Sequence, residues 1–110
     1  METEDFALCG YLKKGQYVSF ILGQYDGDKL LYKGHITLGA SLKKLNDYKY
    51  NIISESPFGY VPKGNENAVW LEPKLTCIIE FMPSENINYR QAICKWIRDD
   101  KLAIDCKISK

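Results

Sequence analysis

The stretch Val18-Ser19-Phe20-Ile21-Leu22-Gly23-Gln24-Tyr25-Asp26-Gly27-Asp28-Lys29-Leu30-Leu31-Tyr32-Lys33-Gly34-His35-Ile36 decides how this chain folds. Two runs rich in β-branched and aromatic residues, Val18 to Tyr25 and Lys29 to Ile36, flank Asp26-Gly27-Asp28. A glycine in so short a connection can take the positive φ that a tight hairpin needs, so the two runs are expected to pair as antiparallel strands. Upstream, Asp5 to Tyr11 has the same character and supplies a strand before them. Downstream, the pattern changes between Ala40 and Ile53. Ser41 can cap a helix, and Leu42, Leu45, Tyr48 and Ile52 recur at helical spacing, which predicts one amphipathic helix. Pro57, Gly59, Pro62 and Gly64 then mark residues 54–67 as a loop crossing back toward the sheet. Strand character returns at Val69 to Leu71, at Leu75 to Phe81 before Pro83, and at Tyr89 to Cys94 before the charged run Arg98 to Lys101.

Three strands, one helix and further strands make the layout of a mainly β OB-fold, a small five-stranded Greek-key barrel with one helix after the third strand. Closure of that barrel would remove the exposed edges an open meander leaves. The chain has 110 residues, enough for a single domain over 1–110 and too few for two. Apolar residues at 45% and charged ones at 26% describe a folded core and not a disordered tail.

The formal charge, 15 basic minus 14 acidic side chains, is +1, which excludes coating of nucleic acid by bulk attraction. The distribution is uneven: residues 1–88 hold 9 basic and 11 acidic groups, and residues 89–110 hold 6 and 3. Both arginines, Arg90 and Arg98, fall in that last stretch. Cys9, Cys77, Cys94 and Cys106 are 68, 17 and 12 residues apart, without the close pair that zinc sites and redox motifs use, so they read as buried thiols in a reducing cytoplasm. Neither a targeting segment nor an apolar run of membrane-spanning length is visible.

Several kinds of site are missing. The glycine pairs Gly10/Gly15, Gly34/Gly39 and Gly59/Gly64 have phosphate-loop spacing but are followed by Gln16, Ala40 and Asn65, where that loop needs lysine. His35 is the single histidine and has no orienting partner in its vicinity of sequence, so a structural or surface role is expected. Asp99 and Asp100 are adjacent, which on a strand sends their side chains to opposite faces and weakens a metal site; no metal ligands are assigned.

The informative stretch is Tyr89-Arg90-Gln91-Ala92-Ile93-Cys94-Lys95-Trp96-Ile97-Arg98-Asp99-Asp100-Lys101. A guanidinium presents a rigid fork of donors that matches two phosphate oxygens, and a lysine adds a mobile point charge, so Arg98 with Lys101 could embrace a polyphosphate. Asp100 could hold either cation in place. The plain alternative is a solvated charged turn closing a barrel. Trp96 is open to two readings, a stacking platform or core packing.

Residues 90–101 resemble the sixth signature motif of ATP-dependent DNA ligases, R-H-P-x-F-K-G-L-R-x-D-K, with Arg90, Lys95, Arg98, Asp100 and Lys101 matching. Gln91, Ala92, Cys94 and Trp96 stand where the motif usually has His, Pro, Phe and Gly. The resemblance is collinear over residues 5–101. Residues 5–11, Leu22-Gly23-Gln24-Tyr25-Asp26 and Tyr32-Lys33-Gly34-His35-Ile36-Thr37-Leu38-Gly39 look like the first three strands of the family's C-terminal OB domain. Pro57-Phe58 and Val69-Trp70-Leu71-Glu72-Pro73 have counterparts too, with Ala40 where an aromatic is common.

The resemblance implies a divided mechanism. In the family this domain follows a nucleotidyltransferase domain whose K-x-D-G lysine is adenylated by ATP. The nearest string here, Gln24-Tyr25-Asp26-Gly27, has glutamine where that nucleophile stands, so the chain alone should be inactive. Arg98, Asp100 and Lys101 are implied in catalysis, orienting the leaving pyrophosphate, and Arg90, Lys95, Arg98 and Lys101 in contacting ATP. ATP and Mg2+ are implied for the full enzyme, and no cofactor for this domain alone. The implied partners are the upstream nucleotidyltransferase domain and nicked double-stranded DNA, with no membrane and a monomeric state. Candidates for the DNA-facing surface are Lys13, Lys14, Lys33, Lys43 and Lys44. DNA repair, replication and recombination are the processes such an enzyme serves. The family's inter-domain hinge lies just upstream of residue 5, so Met1 reads either as a native start or as a cut site, and a separately expressed fragment is favoured over a free-standing product. The alternative reading is a stand-alone, non-catalytic OB module that binds single-stranded nucleic acid or a protein. A third, the OB domain of an RNA-capping guanylyltransferase, shares a related sixth motif but matches the strands less well.

Overall fold

The computed structural model describes residues 2–37, 39–81 and 93–99. Strands β1 (Glu2–Lys14), β2 (Tyr17–Asp26) and β3 (Lys29–Ile36) form an antiparallel meander. Its second turn is the expected hairpin, tightened to Gly27-Asp28 between the Asp26–Lys29 pair. Gly27 has φ 65, and no other residue type has a positive φ among the described residues, which is the sign pattern of a type II′ turn.

β1 is the strand on which everything else is built, and it carries a bulge. Leu8 pairs with Leu22 and Gly10 with Ile21, so Cys9 is one residue too many. The extra residue inverts the in-out alternation along the strand. Phe6 and Leu8 face one core together with Phe20, Leu22, Ile36, Leu71, Leu75, Cys77, Ile79, Cys94 and Ile97. Ala7, Cys9 and Leu12 face a second core with Ile21, Leu30, Phe58 and Trp70. Gly10 sits where β5 comes closest: a Cβ there would lie 2.6 Å from the Val69 carbonyl oxygen.

After β3 the helix is shorter than its sequence period predicts. Ser41 caps it as expected, its hydroxyl accepting from the Lys44 amide at 3.0 Å, but helix α1 covers only Leu42–Leu45. Asn46 is the C-cap, and the Asn46-Asp47 pair is of the type that prefers local side-chain hydrogen bonds to further helix. Ile52, the last apolar position of the expected helix, belongs instead to β4 (Ile52–Ile53). So short a helix has no stability of its own. It is held by Leu45, which is wholly buried in the first core and whose burial contributes about 1.5–3 kcal/mol.

The expected strands at 69–71 and 75–81 appear as β5 (Val69–Leu71) and β6 (Thr76–Phe81). Both run antiparallel to β1: Gly10 and Tyr11 pair with β5, and residues 2–7 with β6. They are one strand position of the barrel, broken at Glu72-Pro73-Lys74, where Pro73 has no amide to give to the ladder. The Leu8 amide donates to the Leu75 carbonyl at 2.9 Å across the break. β4 pairs with β5, and β7 (Ile93–Arg98) with β6. Among the described residues seven strand segments therefore stand where five were expected, because one position is split and β4 adds a two-residue ladder. Among the described residues the sheet is open, with the order β3-β2-β1-β5-β4 and β6 and β7 branching from β1. Mainly β with one helix after the third strand, it is a small OB-like barrel. The last strand runs on past Cys94 to Arg98, and residues 89–92 of the expected strand lie outside the described residues.

The loop over residues 54–67 does more than cross back. Phe58 is buried against Trp70 and Tyr32 in edge-to-face contacts with ring centroids 5.9 and 5.6 Å apart, so the loop covers the outer face of the β1–β2–β3 meander. Asn65 fastens its far end. Its Nδ2 donates to the Pro62 carbonyl at 3.1 Å, which leaves Oδ1 to accept from His35 Nε2 at 2.5 Å.

Candidate functional site

β7 carries the basic cluster, and its register explains which side chains reach solvent. Ile78 pairs with Trp96 but Ile79 with Cys94, so Lys95 is a bulge residue. Cys94 and Ile97 point into the core, whereas Lys95 and Trp96 both emerge, and Arg98 follows on the face of Trp96 two residues on. Trp96 is 47% exposed, so it is not core. Lys95 Nζ lies 3.7 Å from Glu80 Oε2 on the neighbouring strand, a pair solvated on the lysine side. Arg98 is half-buried at the end of β7, opposite Thr76. Arg90, Asp100 and Lys101, the other residues of the expected cluster, lie outside the described residues.

Behind β7 stands a clasp that sequence reasoning missed. Lys44 Nζ donates to the carbonyl of Gly39 at 2.7 Å and to that of Cys94 at 3.1 Å, joining the turn after β3 to the last strand. Gly39 has φ 80, and a Cβ there would sit 2.4 Å from the Cys94 carbonyl oxygen. The only sequence signal was the glycine itself. Cys94 Sγ lies 3.0 Å from Cys77 Sγ in the core. Its thiol is held below the ordinary range, first by the hydrogen bond with Cys77 and further by the Lys44 charge, with burial opposing both.

The remaining lysines singled out for DNA are dispersed. Lys13 is exposed near the end of β1, Lys14 closes that strand, and Lys33 is exposed at a bulge in β3, where Leu22 pairs with Gly34 and Gly23 with Tyr32. Lys43 is exposed on α1 beside the committed Lys44. Gln24, which opens the string nearest to K-x-D-G, is buried in β2 and donates from Nε2 to the Asp5 carbonyl at 3.1 Å. His35 lies in β3 between Asn65 and the Tyr32 hydroxyl, 3.1 Å from the latter. Among the described residues, no three His, Cys, Asp or Glu side chains are grouped to hold a metal ion. No helix among them is long and apolar enough to cross a membrane.

Strand order, the capped helix after β3 and an outward-facing basic last strand define an OB-like β domain. Residues 13–101 match the family model described as the ATP dependent DNA ligase C terminal region, and the chain belongs to that family. Among solved structures, it is similar to the ligase domain from M. tuberculosis LigD, with a TM-score of 0.74 and 19% identity over 98% of this chain and 39% of that one. It is similar also to a mycobacterial DNA ligase D complexed with ATP and MES, with a TM-score of 0.72 and 21% identity over 98% of this chain and 38% of that one. At these identities the likeness speaks for the fold. The chain spans about two fifths of the length of these ligases. No curated protein matches it.

Proposed function

We propose that this domain completes the active site of an ATP-dependent DNA ligase when joined to a nucleotidyltransferase domain. Arg98, Asp100 and Lys101 orient the pyrophosphate that leaves during lysine adenylation, and Arg90 and Lys95 add contacts to ATP. Charge placement is the main need of phosphoryl and nucleotidyl transfer, because the developing charge sits on the non-bridging and leaving oxygens. One observation carries this reading. The β7 bulge turns Lys95 and Trp96 outward together and sets the half-buried Arg98 on the face of the exposed Trp96, so neither basic residue of the strand points into the core with Cys94 and Ile97. The family match across residues 13–101 spans all five motif positions and supports it. Mg2+ would be held chiefly by ATP and by the other domain.

In the same enzyme, this domain then contacts nicked duplex DNA through phosphates. Lys13, Lys14, Lys33 and Lys43 are the proposed contacts, Lys44 being engaged by the Gly39 and Cys94 carbonyls, which makes the binding salt-sensitive and independent of sequence. Such an enzyme would act as a cytoplasmic monomer in repair, replication or recombination.

Trans-complementation tests the adenylation role: the domain is mixed with its nucleotidyltransferase domain, labelled ATP and magnesium, and covalent AMP is followed. Adenylation should rise with this domain and fail to rise with Arg98→Ala. Equal rates with and without the domain, at concentrations that saturate association, overturn the reading. The exposed ring of Trp96 favours a second reading, a stand-alone module that stacks single-stranded bases. Tighter binding to a single strand than to nicked duplex, with Trp96 fluorescence quenched, would select it.

A further inference from the structure

The core of this domain contains a pair of thiols in near-bonding distance, and nothing in the ligation chemistry uses it. Cys77 on β6 and Cys94 on β7 are 0% and 1% exposed, and their Sγ atoms are 3.0 Å apart, closer than van der Waals contact of two sulfurs. They are not direct partners in the ladder: Cys77 pairs with Ile97, and Cys94 with Ile79. The Lys95 bulge brings them together on the inner face. A disulfide requires the sulfurs to close to about 2.05 Å, a movement of about 1 Å from their present separation. Cys9, by contrast, lies in the second core on the opposite face of the sheet.

We propose that Cys77 and Cys94 form a reversible dithiol–disulfide couple that staples β7 to β6 under oxidation by hydrogen peroxide. The Cys94 thiolate attacks one peroxide oxygen, the O–O bond breaks, and Cys94 sulfenic acid and hydroxide result, the hydroxide taking up the proton the thiol released to give water. Cys77 sulfur then attacks the Cys94 sulfur, the S–O bond breaks, and the departing hydroxide takes the Cys77 proton as a second water. Two thiols are oxidised by two electrons, and one peroxide is reduced to two waters.

Two features of the site favour Cys94 as the first to react. Its thiol is held below the ordinary value by the Cys77 hydrogen bond and by Lys44, and the thiolate is the nucleophile. Peroxide would enter by local opening of β7, which among the described residues is held by its ladder with β6 and by the Lys44 bond to the Cys94 carbonyl. Once formed, the bond fixes the strand that carries Lys95, Trp96 and Arg98. The couple itself does not depend on the ligase reading.

The test uses the full chain, reduced, freed of reductant and exposed to hydrogen peroxide while folded, then alkylated in denaturant and cut with trypsin. Cleavage after Lys74, Arg90 and Lys95 puts Cys77 in the peptide 75–90 and Cys94 in the peptide 91–95. The expected product is these two peptides joined, lighter by two hydrogens than their sum and separated again by dithiothreitol. In Cys77→Ser, dimedone should trap sulfenic acid on Cys94. Both wild-type peptides fully alkylated, after peroxide that oxidises an added small dithiol to completion, overturn the proposal. So does a disulfide that joins either peptide preferentially to Cys9 or Cys106.

Discussion

Lys44 and Cys94 are fifty residues apart in sequence, yet the ammonium of the first donates to the backbone carbonyl of the second at 3.1 Å. This bond ties the end of the meander to the strand that closes the chain's described part, at a place where no ladder joins them. Because the donor is charged and the acceptors are backbone carbonyls, the clasp is worth more than a neutral side-chain bond. Lys44→Ala should lower unfolding free energy by about 1–2 kcal/mol. A urea midpoint unchanged from wild type would show that the clasp does not hold the fold.

Gly39 is the other half of that clasp. A side chain there meets two obstacles, a φ of 80 that L-residues rarely adopt and a carbonyl oxygen 2.4 Å from the new Cβ. Gly39→Ala should destabilise by about 2 kcal/mol or more, since the turn must shift away from Cys94. Amide exchange in β7 should quicken in this variant; retention of wild-type protection there would contradict the account.

Asn65 is fully buried and uses both ends of its amide, toward the Pro62 carbonyl and toward His35. Asn65→Ala removes both side-chain bonds, although the Pro62 carbonyl keeps the Asn65 backbone amide and His35 keeps the Tyr32 hydroxyl, a loss of about 1–2 kcal/mol. Asn65→Asp should be worse, because a carboxylate would face the Pro62 and Lys63 carbonyls in place of a donor. Thermal unfolding of the two variants in parallel gives the ranking, and an Asp variant as stable as wild type would refute it.

Glu80 holds Lys95 at 3.7 Å on a solvated face, and such pairs contribute little to folding. Glu80→Gln should change stability by less than about 0.5 kcal/mol. Within the ligase reading, it should leave adenylation unimpaired or raise it, because Lys95 no longer has a competing anion, whereas Lys95→Ala should lower it. Measuring covalent AMP in both variants separates a structural ion pair from a cation held in readiness for ATP.

The hairpin at Gly27 was legible because its signal is local: a glycine at a position that demands positive φ, between two runs of strand formers. The short β5 was legible for the same reason, being bounded by turn residues. The length of α1 was not, because Leu42, Leu45, Tyr48 and Ile52 keep a helical period through residues that the chain uses for a cap and a new strand. The two cores were hidden by a single residue. A strict alternation puts Leu8 and Leu12 on one face, yet the Cys9 bulge sends them to different cores, and Gly10 was the one hint of it. The basic cluster was legible as composition. Its presentation was not, since it depends on a bulge at Lys95 whose cause lies in pairing with β6. The clasp of Lys44 and the contact of Cys77 with Cys94 join residues far apart in sequence, where no spacing rule reaches.

The covering loop has two anchorages, Phe58 in the second core and Asn65 beneath His35, with Tyr60, Val61, Lys63 and Gly64 exposed between them. Each anchorage fastens its own side of the span, and the Asn65 amide also holds the Pro62 and Lys63 carbonyls across the Lys63–Gly64 bond. The peptide bonds between them therefore contribute little to holding the two halves in place. A single cut after Lys63 would yield two polypeptides that remain docked as one body, and the domain could be assembled from separately made fragments meeting at that seam.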